Sequence, residues 1–599
     1  MCGFAFIASH TPQSLETLKI MGDKIAHRGP DDHGHALWHT DGGFMHVDNE
    51  AVSPQHGNVL FHHRRLSILD MSSHGHQPMR YKGLTLLFNG EIYNYKELKT
   101  TLPLPFESES DTEVLLKGLY VFGPSFIARL RGMFSFVAFD ETTQNIIIAR
   151  DHFGIKPLYY THDEKGLYMA SEIKALLPLL KKRVVDQKRA HDFLYHGLTE
   201  HHHNTCFHGI HQYPAASFSV ISLQNCPKPL TFQKYWQAPL GPSSHRIALK
   251  DAKEQITEHL KHSLTLHTRS DVPLLGFLSG GLDSSLLMCL ASHLNLPIKD
   301  TLSYIASDPK ISEEPYVDAV THHLGMNNHK VFLNNASFEE DMDRLIFHQD
   351  QPFASTSIYA QFKLFEAVQK KGFKVTVDGQ GADEIFAGYG MYGHFQKAKN
   401  IKGRPFDLLS LPFFTPLKDT LRTLSYVMGK GVAYNPFVLQ KTFSFFDQSS
   451  KNLHHFLKDT LERSNLPALL RYMDRNSMAF SIESRVPFLW PELVEAAYAL
   501  SSNLLIKEEQ KKYILYEMGK PYLPEKIYKR RTKLSFNTPE SFMLSQSKEW
   551  VHEVLRHASS TIVNVEKMKR AYALNTCSNA FWKSLCYVRW KTLFHVEEA

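Results

Sequence analysis

Three groups of residues in this chain have types and spacings that could carry chemistry. The first is Leu278-Ser279-Gly280-Gly281-Leu282-Asp283-Ser284-Ser285. Gly280 and Gly281 have no Cβ, so backbone N–H groups there can close on an anion such as phosphate, and Ser279, Ser284 and Ser285 add hydroxyl donors. Asp283 is the odd member. A carboxylate beside phosphates repels them unless a divalent cation stands between, so Asp283 is a candidate Mg²⁺ ligand. The second group is Asp378-Gly379-Gln380-Gly381-Ala382-Asp383-Glu384, where Asp383 can offer a second carboxylate to the same ion. The third is Cys2. Once an aminopeptidase removes Met1, Cys2 owns a thiol of reference pKa about 8.5 and an α-amine of about 7.7–8.0, a nucleophile and its general base in one residue. Plainer alternatives stand beside these: a serine-capped tight turn for the glycine loop, and a small buried hydrophobe for the cysteine.

These residues need elements to hold them. The apolar run 272–277 reads as a short buried strand and 286–290 as the opening of a helix, which places the glycines at a strand-to-helix turn where the helix dipole favours anions. Further strands at 301–305, 329–333 and 375–377 alternate with helices at 316–323 and 359–369. That alternation predicts an α/β doubly wound parallel sheet with ligands at the carboxyl ends of its strands. The first part reads differently. A strand ends near Ser9, then Leu15, Leu18, Met21 and Ile25 share one helical face that must stop before Pro30. Strands follow at 84–88, 133–139 and 145–149, and Ser110-Asp111-Thr112-Glu113 reads as an acidic turn. Many short strands with few helices predict a layered, sheet-rich domain. The Pro/Gly/Ser stretch 237–246 is the expected linker between domains at 1–236 and 247–599, and 247–266 reads as an amphipathic helix. Past residue 395 the pattern is helical and less regular, and the charged stretches at Asp474-Arg475 and Arg530-Arg531 read as salt-bridged helix ends.

At 599 residues the chain is too long for one compact core. Its 67 basic and 61 acidic residues nearly cancel, and no long basic run carries interleaved aromatics, which argues against nucleic acid as a partner. No apolar stretch approaches the ~18 residues of a membrane span, and the first residues lack the basic start of a signal peptide; a cytoplasmic protein is expected. The six cysteines form no C-x-x-C pair, which argues against a disulfide framework or a zinc site. His201-His202-His203 reads as a solvated loop.

Met1-Cys2-Gly3, His27-Arg28-Gly29-Pro30-Asp31, Arg65-Leu66-Ser67-Ile68, Asn89-Gly90-Glu91-Ile92-Tyr93-Asn94 and Ser110-Asp111-Thr112-Glu113 together resemble the glutamine amidotransferase domain of the N-terminal-nucleophile type, an α+β fold of layered antiparallel sheets. The resemblance implies that Cys2 attacks the glutamine side-chain amide and that Asn89 and the N–H of Gly90 form the oxyanion hole. It gives Arg65 the substrate carboxylate, Glu91 and Asp111 the α-ammonium, and Leu66 and Ile68 places in the pocket wall. The glycine loop lacks the lysine of a Walker loop and resembles instead the SGGxDSS loop of ATP pyrophosphatases, which cleave ATP between its α- and β-phosphates. Nucleotide contacts then fall to Leu278, Ser279, Gly280, Gly281, Asp283, Ser284, Ser285, Tyr304, Asp378 and Gly379.

With Ser270-Asp271-Val272-Pro273 before the loop and Glu483-Ser484-Arg485-Val486-Pro487-Phe488 after it, nearly the whole chain resembles the glutamine-hydrolysing asparagine synthetases. That family implies ATP and Mg²⁺, adenylation of a carboxylate, and ammonia carried through an internal tunnel to displace AMP. Its partners are small molecules, with no nucleic acid and no membrane; a homodimer is left open. Lys533 matches the lysine that stabilises charge during adenylation, and Glu483 and Arg485 match residues near the acceptor site. Two positions depart from the pattern. Gln380 stands where a glutamate is common, and Trp490 where an aspartate follows V-P-F-L. The acceptor is therefore open between aspartate, the default, and another carboxylate such as a sugar acid or peptide. A glutaminase with a nucleotide-sensing second domain, and a silent scaffold, are the readings from other classes.

Overall fold

The computed structural model describes residues 2–47, 55–226, 228–242, 247–306, 312–332, 338–403, 430–439, 444–447, 450–530, 543–545 and 547–598. The first part is built on β1 (Gly3–Ser14), β2 (Asp32–His39), β3 (Gly43–Val47), β4 (His56–Arg65), β5 (Met79–Tyr81), β6 (Leu84–Ile92), β7 (Gly132–Asp140), β8 (Asn145–Arg150), β9 (Tyr159–His162), β10 (Gly166–Ala170), β11 (His211–Gln212), β12 (Ser217–Ser222) and β13 (Gln233–Lys234). They pair into a seven-stranded sheet, β11-β9-β10-β1-β4-β2-β3, and a six-stranded sheet, β13-β12-β8-β7-β6-β5. The pairings are antiparallel. Phe4, Phe6, Trp38 and Phe61 from one sheet pack on Leu87, Val137, Phe139 and Ile148 from the other. The outer faces are covered by helices. Leu15, Leu18 and Met21 of the helix Leu15–Asp23 lie against Ala5 and Ile7, and Val114 and Leu115 of the helix Asp111–Phe122 join a cluster with Phe134 and Phe136. The result is helix, sheet, sheet, helix.

This burial explains two differences from the sequence reading. β1 runs to Ser14 rather than ending near Ser9, and Phe4 to Ala8 are buried on both faces, so the strand shows a nearly continuous apolar run. Ser110 to Glu113 is a helix start rather than a turn. Ser110 is the N-cap, its side chain accepting the Thr112 N–H, and Asp111 opens the helix.

The second part carries β14 (Leu274–Phe277), β15 (Ile298–Ile305), β16 (Asn327–Phe332), β17 (Val375–Val377), a ribbon of β18 (Lys430–Ala433) with β19 (Ser444–Asp447), and β20 (Glu483–Arg485). The order β16-β15-β14-β17-β20 is parallel throughout, with the helices Leu282–His293, Glu314–Leu324 and Ser357–Lys370 between strands, as the alternation required. The helix Leu249–His267 precedes the sheet, and residues 243–246 of the expected linker lie outside the described residues. No helix among the described residues is long and apolar enough to cross a membrane.

The two parts meet across buried charge. Arg28 Nη1 lies 2.7 Å from Glu172 and 2.8 Å from Asp474, and Arg475 Nη1 is 2.9 Å from Asp474. Lys174 pairs with Glu172 and, at 2.9 Å, with Asp350, which Arg475 Nε reaches at 3.3 Å. All six side chains are at most 2% exposed. Asp474 and Arg475 are in the last turns of the helix Leu466–Met478, a salt-bridged helix end as expected, here facing the other domain.

Candidate active sites

The first site forms where strands of the two antiparallel sheets converge. Cys2 stands at the head of β1, Arg65 ends the neighbouring β4, and β6 of the second sheet brings Asn89, Gly90 and Glu91. Cys2, Arg65, Leu66, Ile68, Gly90, Glu91 and Asp111 line one narrow cleft with Glu483. Its free volume is about 30 Å³. The Cys2 N–H donates to Asn89 Oδ1 at 3.2 Å, and Asn89 Nδ2, wholly buried, finds no acceptor among the described residues. Such an orphaned donor beside a nucleophile is what an oxyanion needs. A Cβ on Gly90 would collide with the Met133 carbonyl of β7, so only glycine lets β6 lie this close. Burial pushes the Cys2 thiol up, opposed by the amino-terminal charge, the Leu66 backbone and Arg65. Arg28 Nε donates to the Cys2 carbonyl at 2.9 Å and so anchors the candidate nucleophile's backbone.

Opposite charges occupy opposite walls. Arg65 donates Nη1 to the Ser72 carbonyl at 2.8 Å and Nη2 to the Asp70 carbonyl, and among the described residues no carboxylate pairs with it. Across the cleft, Asp111 Oδ2 accepts the Ile92 N–H at 2.8 Å. Burial pushes the Asp111 carboxyl up to about 6 against that bond, and burial with the neighbouring Asp111 and Glu483 raises Glu91 well above the usual range. Burial also disfavours the charge on Glu483, but Arg485, with Nε 2.6 Å away, the amino-terminal charge and Lys156 together offset it and lower its pKa. Three buried carboxylates around one guanidinium make a wall that favours an added ammonium.

Glu483 and Arg485, matched by resemblance to the acceptor site, have side chains on the side of this first cleft. Glu483 lines the cleft with Cys2, and Arg485 Nη2 is 3.6 Å from Glu91. The Arg485 backbone reaches toward the other site, its carbonyl accepting the Asp378 N–H at 2.8 Å.

The second site lies at the carboxyl ends of β14, β15 and β17. Leu278 donates its N–H to Leu302 of β15 at 3.0 Å, and Ser279 N–H is held by Ser284 Oγ at 3.1 Å, closing the loop on the helix Leu282–His293. Gly280 has φ +70, and a Cβ there would stand 2.9 Å from Val317 N. Ser285 is buried and its hydroxyl is unpartnered among the described residues. Tyr304 is near the end of β15. The second glycine turn comes up beside the first: a Cβ on Gly379 would be 3.3 Å from Ser284 N. Asp378 is pushed up to about 6 by burial against the Gly379 and Gln380 N–H groups, and Gln380 is half-buried in the same turn.

Asp283 and Asp383, the candidate metal ligands, converge on one point. Lys512 Nζ is 2.5 Å from Asp283 Oδ2 and 2.6 Å from Asp383 Oδ1. A cation is thus shared by both carboxylates, and their oxygens suit a hard divalent ion that keeps waters and phosphate oxygens as its other ligands. Among the described residues no third His, Cys, Asp or Glu joins them. Lys512 was not legible as a site residue. It has left-handed backbone at φ +53, strain of a kind that collects at functional positions, and the two aspartates hold its ammonium charged. Gly388 makes room, since a Cβ there would collide with Asp383 and Lys512. Behind the pair, Glu384 accepts from Tyr389 Oη at 2.9 Å and Asn465 Nδ2 at 2.7 Å, and burial with the adjacent Asp383 charge pushes it up to about 7. Lys533 lies outside the described residues. His201 is tied to Asp192 at 3.0 Å, while His202 and His203 are exposed.

Comparison with known proteins identifies the family of each part. Residues 255–592 match the family model "Asparagine synthase", and residues 1–236 match "Glutamine amidotransferase domain". An asparagine synthetase [glutamine-hydrolyzing] 1 of Bacillus subtilis (strain 168) is 28% identical over 94% of this chain and 90% of its own length. A putative asparagine synthetase [glutamine-hydrolyzing] of Mycobacterium bovis is 27% identical over 99% of this chain and 97% of its own. A Gibberella zeae protein named amidase chry2 is 25% identical over 90% of this chain and 89% of its own. The chain belongs to the glutamine-hydrolysing asparagine synthetase family.

Proposed function

We propose that this enzyme makes L-asparagine, using glutamine as nitrogen donor and ATP to activate the side-chain carboxylate of L-aspartate, with AMP and pyrophosphate released. The observation that carries the reading is that the cleft holding Cys2, Arg65, Glu91 and Asp111 is closed by Glu483 from the parallel sheet, whose strands β14 and β17 carry the two glycine turns at their carboxyl ends. In the first half-reaction, with Met1 removed, the Cys2 amine takes the thiol proton where the Cys2 N–H now meets Asn89 Oδ1 at 3.2 Å. Sγ adds to the glutamine amide carbon, Asn89 Nδ2 and the Gly90 N–H hold the oxyanion, ammonia leaves, and water cleaves the thioester to glutamate. Arg65 takes the carboxylate of glutamine, and Glu91 and Asp111 take its ammonium.

In the second, the acceptor carboxylate attacks the α-phosphate and pyrophosphate leaves. Ser279, Gly280, Gly281, Ser284 and Ser285 hold the phosphates. Asp283 and Asp383 would hold Mg²⁺, which would neutralise phosphate charge. With the ion there, the Lys512 ammonium, which lies between those aspartates in this structure, would turn to the phosphates and supply a positive charge that Lys533 alone was expected to give. Ammonia then attacks the acyl carbon and AMP leaves. We assign residues 1–236 and 247–599 as the two catalytic domains, and six free thiols support a cytoplasmic setting.

Incubation with ATP, Mg²⁺, glutamine and aspartate yields equal amounts of AMP and asparagine; AMP formed only with another acid refutes aspartate as the acceptor. A second reading, the same chemistry on another carboxylate, is favoured by Gln380 and by Trp490. Trp490 is buried with its ring 5.7 Å from His262 and 5.9 Å from His267, replacing an expected carboxylate with an aromatic packing residue.

A further inference from the structure

Asp271 precedes β14 by three positions and so belongs to the nucleotide half, yet its polar contacts are with the glutamine half. Its N–H donates to the Ile68 carbonyl at 3.2 Å, and its Oδ2 accepts the Asp70 N–H at 2.9 Å. Asp70 is a bend that needs holding. Its φ is +52, in the left-handed region that a residue with a side chain occupies at a cost. That conformation lets Asp70 do two things. Its Oδ1 accepts the Ser72 N–H at 3.0 Å, and its carbonyl accepts from Arg65 Nη2. Ser72 in turn offers its carbonyl to Arg65 Nη1 at 2.8 Å. The guanidinium is therefore aimed by two carbonyls of one strained turn, and that turn is clasped by a carboxylate from the other domain.

We propose that Asp271 is a positioning residue for glutamine: by fixing Asp70 it sets the plane in which Arg65 meets the substrate carboxylate. The proposal rests on the reading of Arg65 as that carboxylate's partner. A second tie supports the same loop, since Asp31 Oδ2 accepts the Ser67 N–H at 2.8 Å and is itself paired with Lys374, the residue before β17, at 2.8 Å. Asp271 touches neither the thiol nor the oxyanion donors, so its loss acts on binding and not on the chemical step.

The test uses the full-length enzyme and reads glutamate release against glutamine concentration, with the Kd for ATP and Mg²⁺ measured on the same samples. Asp271→Ala raises the glutamine KM about tenfold, leaves kcat within about twofold, and leaves the ATP Kd unchanged. Asp271→Asn, whose amide oxygen can still accept the Asp70 N–H, returns KM to within about threefold of the parent. An unchanged KM in Asp271→Ala overturns the proposal, as does a rise in the ATP Kd of equal size, which would make Asp271 a support of the phosphate loop alone. Arg65→Ala separates the two failures. If it raises KM while Asp271→Ala does not, the positioning role fails by itself; if neither does, the reading of Arg65 fails with it.

Discussion

Replacing Asp474 by alanine tests how far the buried interface supports the first active site. Three cations, Arg28, Lys174 and Arg475, face three carboxylates, Glu172, Asp350 and Asp474, with every side chain at most 2% exposed. Removing Asp474 deletes a fork of bonds to Arg28, at 2.8 and 3.0 Å, and one to Arg475 at 2.9 Å, and leaves one uncompensated positive charge out of water. Breaking a buried pair from one side costs about 3–5 kcal/mol. With a urea m-value of about 2–3 kcal/mol/M, the unfolding midpoint falls by roughly 1–2 M. Asp474→Asn keeps the shape but not the charge and loses nearly as much. The double variant Arg28→Met with Asp474→Leu restores charge balance and costs less than the sum of the single changes.

The pH dependence has a fixed sign. Burial would raise the Asp474 carboxyl, but Arg28 and Arg475 more than offset it and hold it below 3.8. Its stabilisation is therefore fully present above the unfolded pKa of 3.8 and is lost as pH falls through the lower folded value. The same variant loses glutaminase activity, because Arg28 also anchors the Cys2 carbonyl at 2.9 Å. A loss under about 1 kcal/mol, or strict additivity in the double variant, refutes the account.

Asn89→Ala lowers glutaminase kcat by about 10²–10³, the cost of one oxyanion donor, while leaving ATP binding intact; glutamate release measured beside ATP Kd checks both. Glutamine KM rises as pH falls below about 6, because Asp111, pushed up to about 6 by burial, then loses the charge that receives the substrate ammonium; a KM flat from pH 7 to 5 contradicts this. Gly280→Ala places a side chain at φ +70 against the Val317 backbone, 2.9 Å away, and weakens ATP binding at least tenfold with glutamine hydrolysis retained. Lys512→Met abolishes pyrophosphate release but not glutamate release, as parallel assays of the two products show.

What was legible in the sequence follows from locality. The turn residues 278–285 and 378–384 announce themselves because glycines, serines and carboxylates needed at one point stand within eight positions of each other, and strand-helix alternation fixes the parallel sheet around them. Cys2, Asn89 and Asp111 were readable as parts of compact motifs. Lys512 was not, since it sits 229 positions from Asp283 in an ordinary-looking stretch, and only the folded chain shows which ammonium meets both aspartates. Strand β20 has three residues, two of them charged, so no periodicity marks it, and the cleft-facing side of Glu483 is a property of register alone. The ionic cluster joins Arg28 to Asp474 across 446 positions, and either charge read singly belongs on a surface.

The direction of the short strands decides how the two half-reactions can share one molecule. In a parallel sheet the helix starts gather at the carboxyl ends, which is where anions are held, and the amino ends are left free to pack against a neighbour. Here the amino ends of β14, β17 and β20 all face the glutaminase. Asp271 holds Ile68 and Asp70, Lys374 pairs with Asp31, and Glu483 closes the cleft beside Cys2. The carboxyl ends of β14 and β17 carry the turns with Asp283 and Asp383. β14 has four residues and β17 three, so at about 3.3 Å per residue the amino and carboxyl ends of these strands are on the order of 10 Å apart. A longer sheet would bury more apolar surface but would separate the thiol from the activated carboxylate. An antiparallel one would send alternate strand starts to the nucleotide side and break the array of contacts that now holds the glutamine loop. The short parallel sheet is thus a wall that each site uses from its own side, and a shift of any of these strands along its axis displaces residues in both sites together.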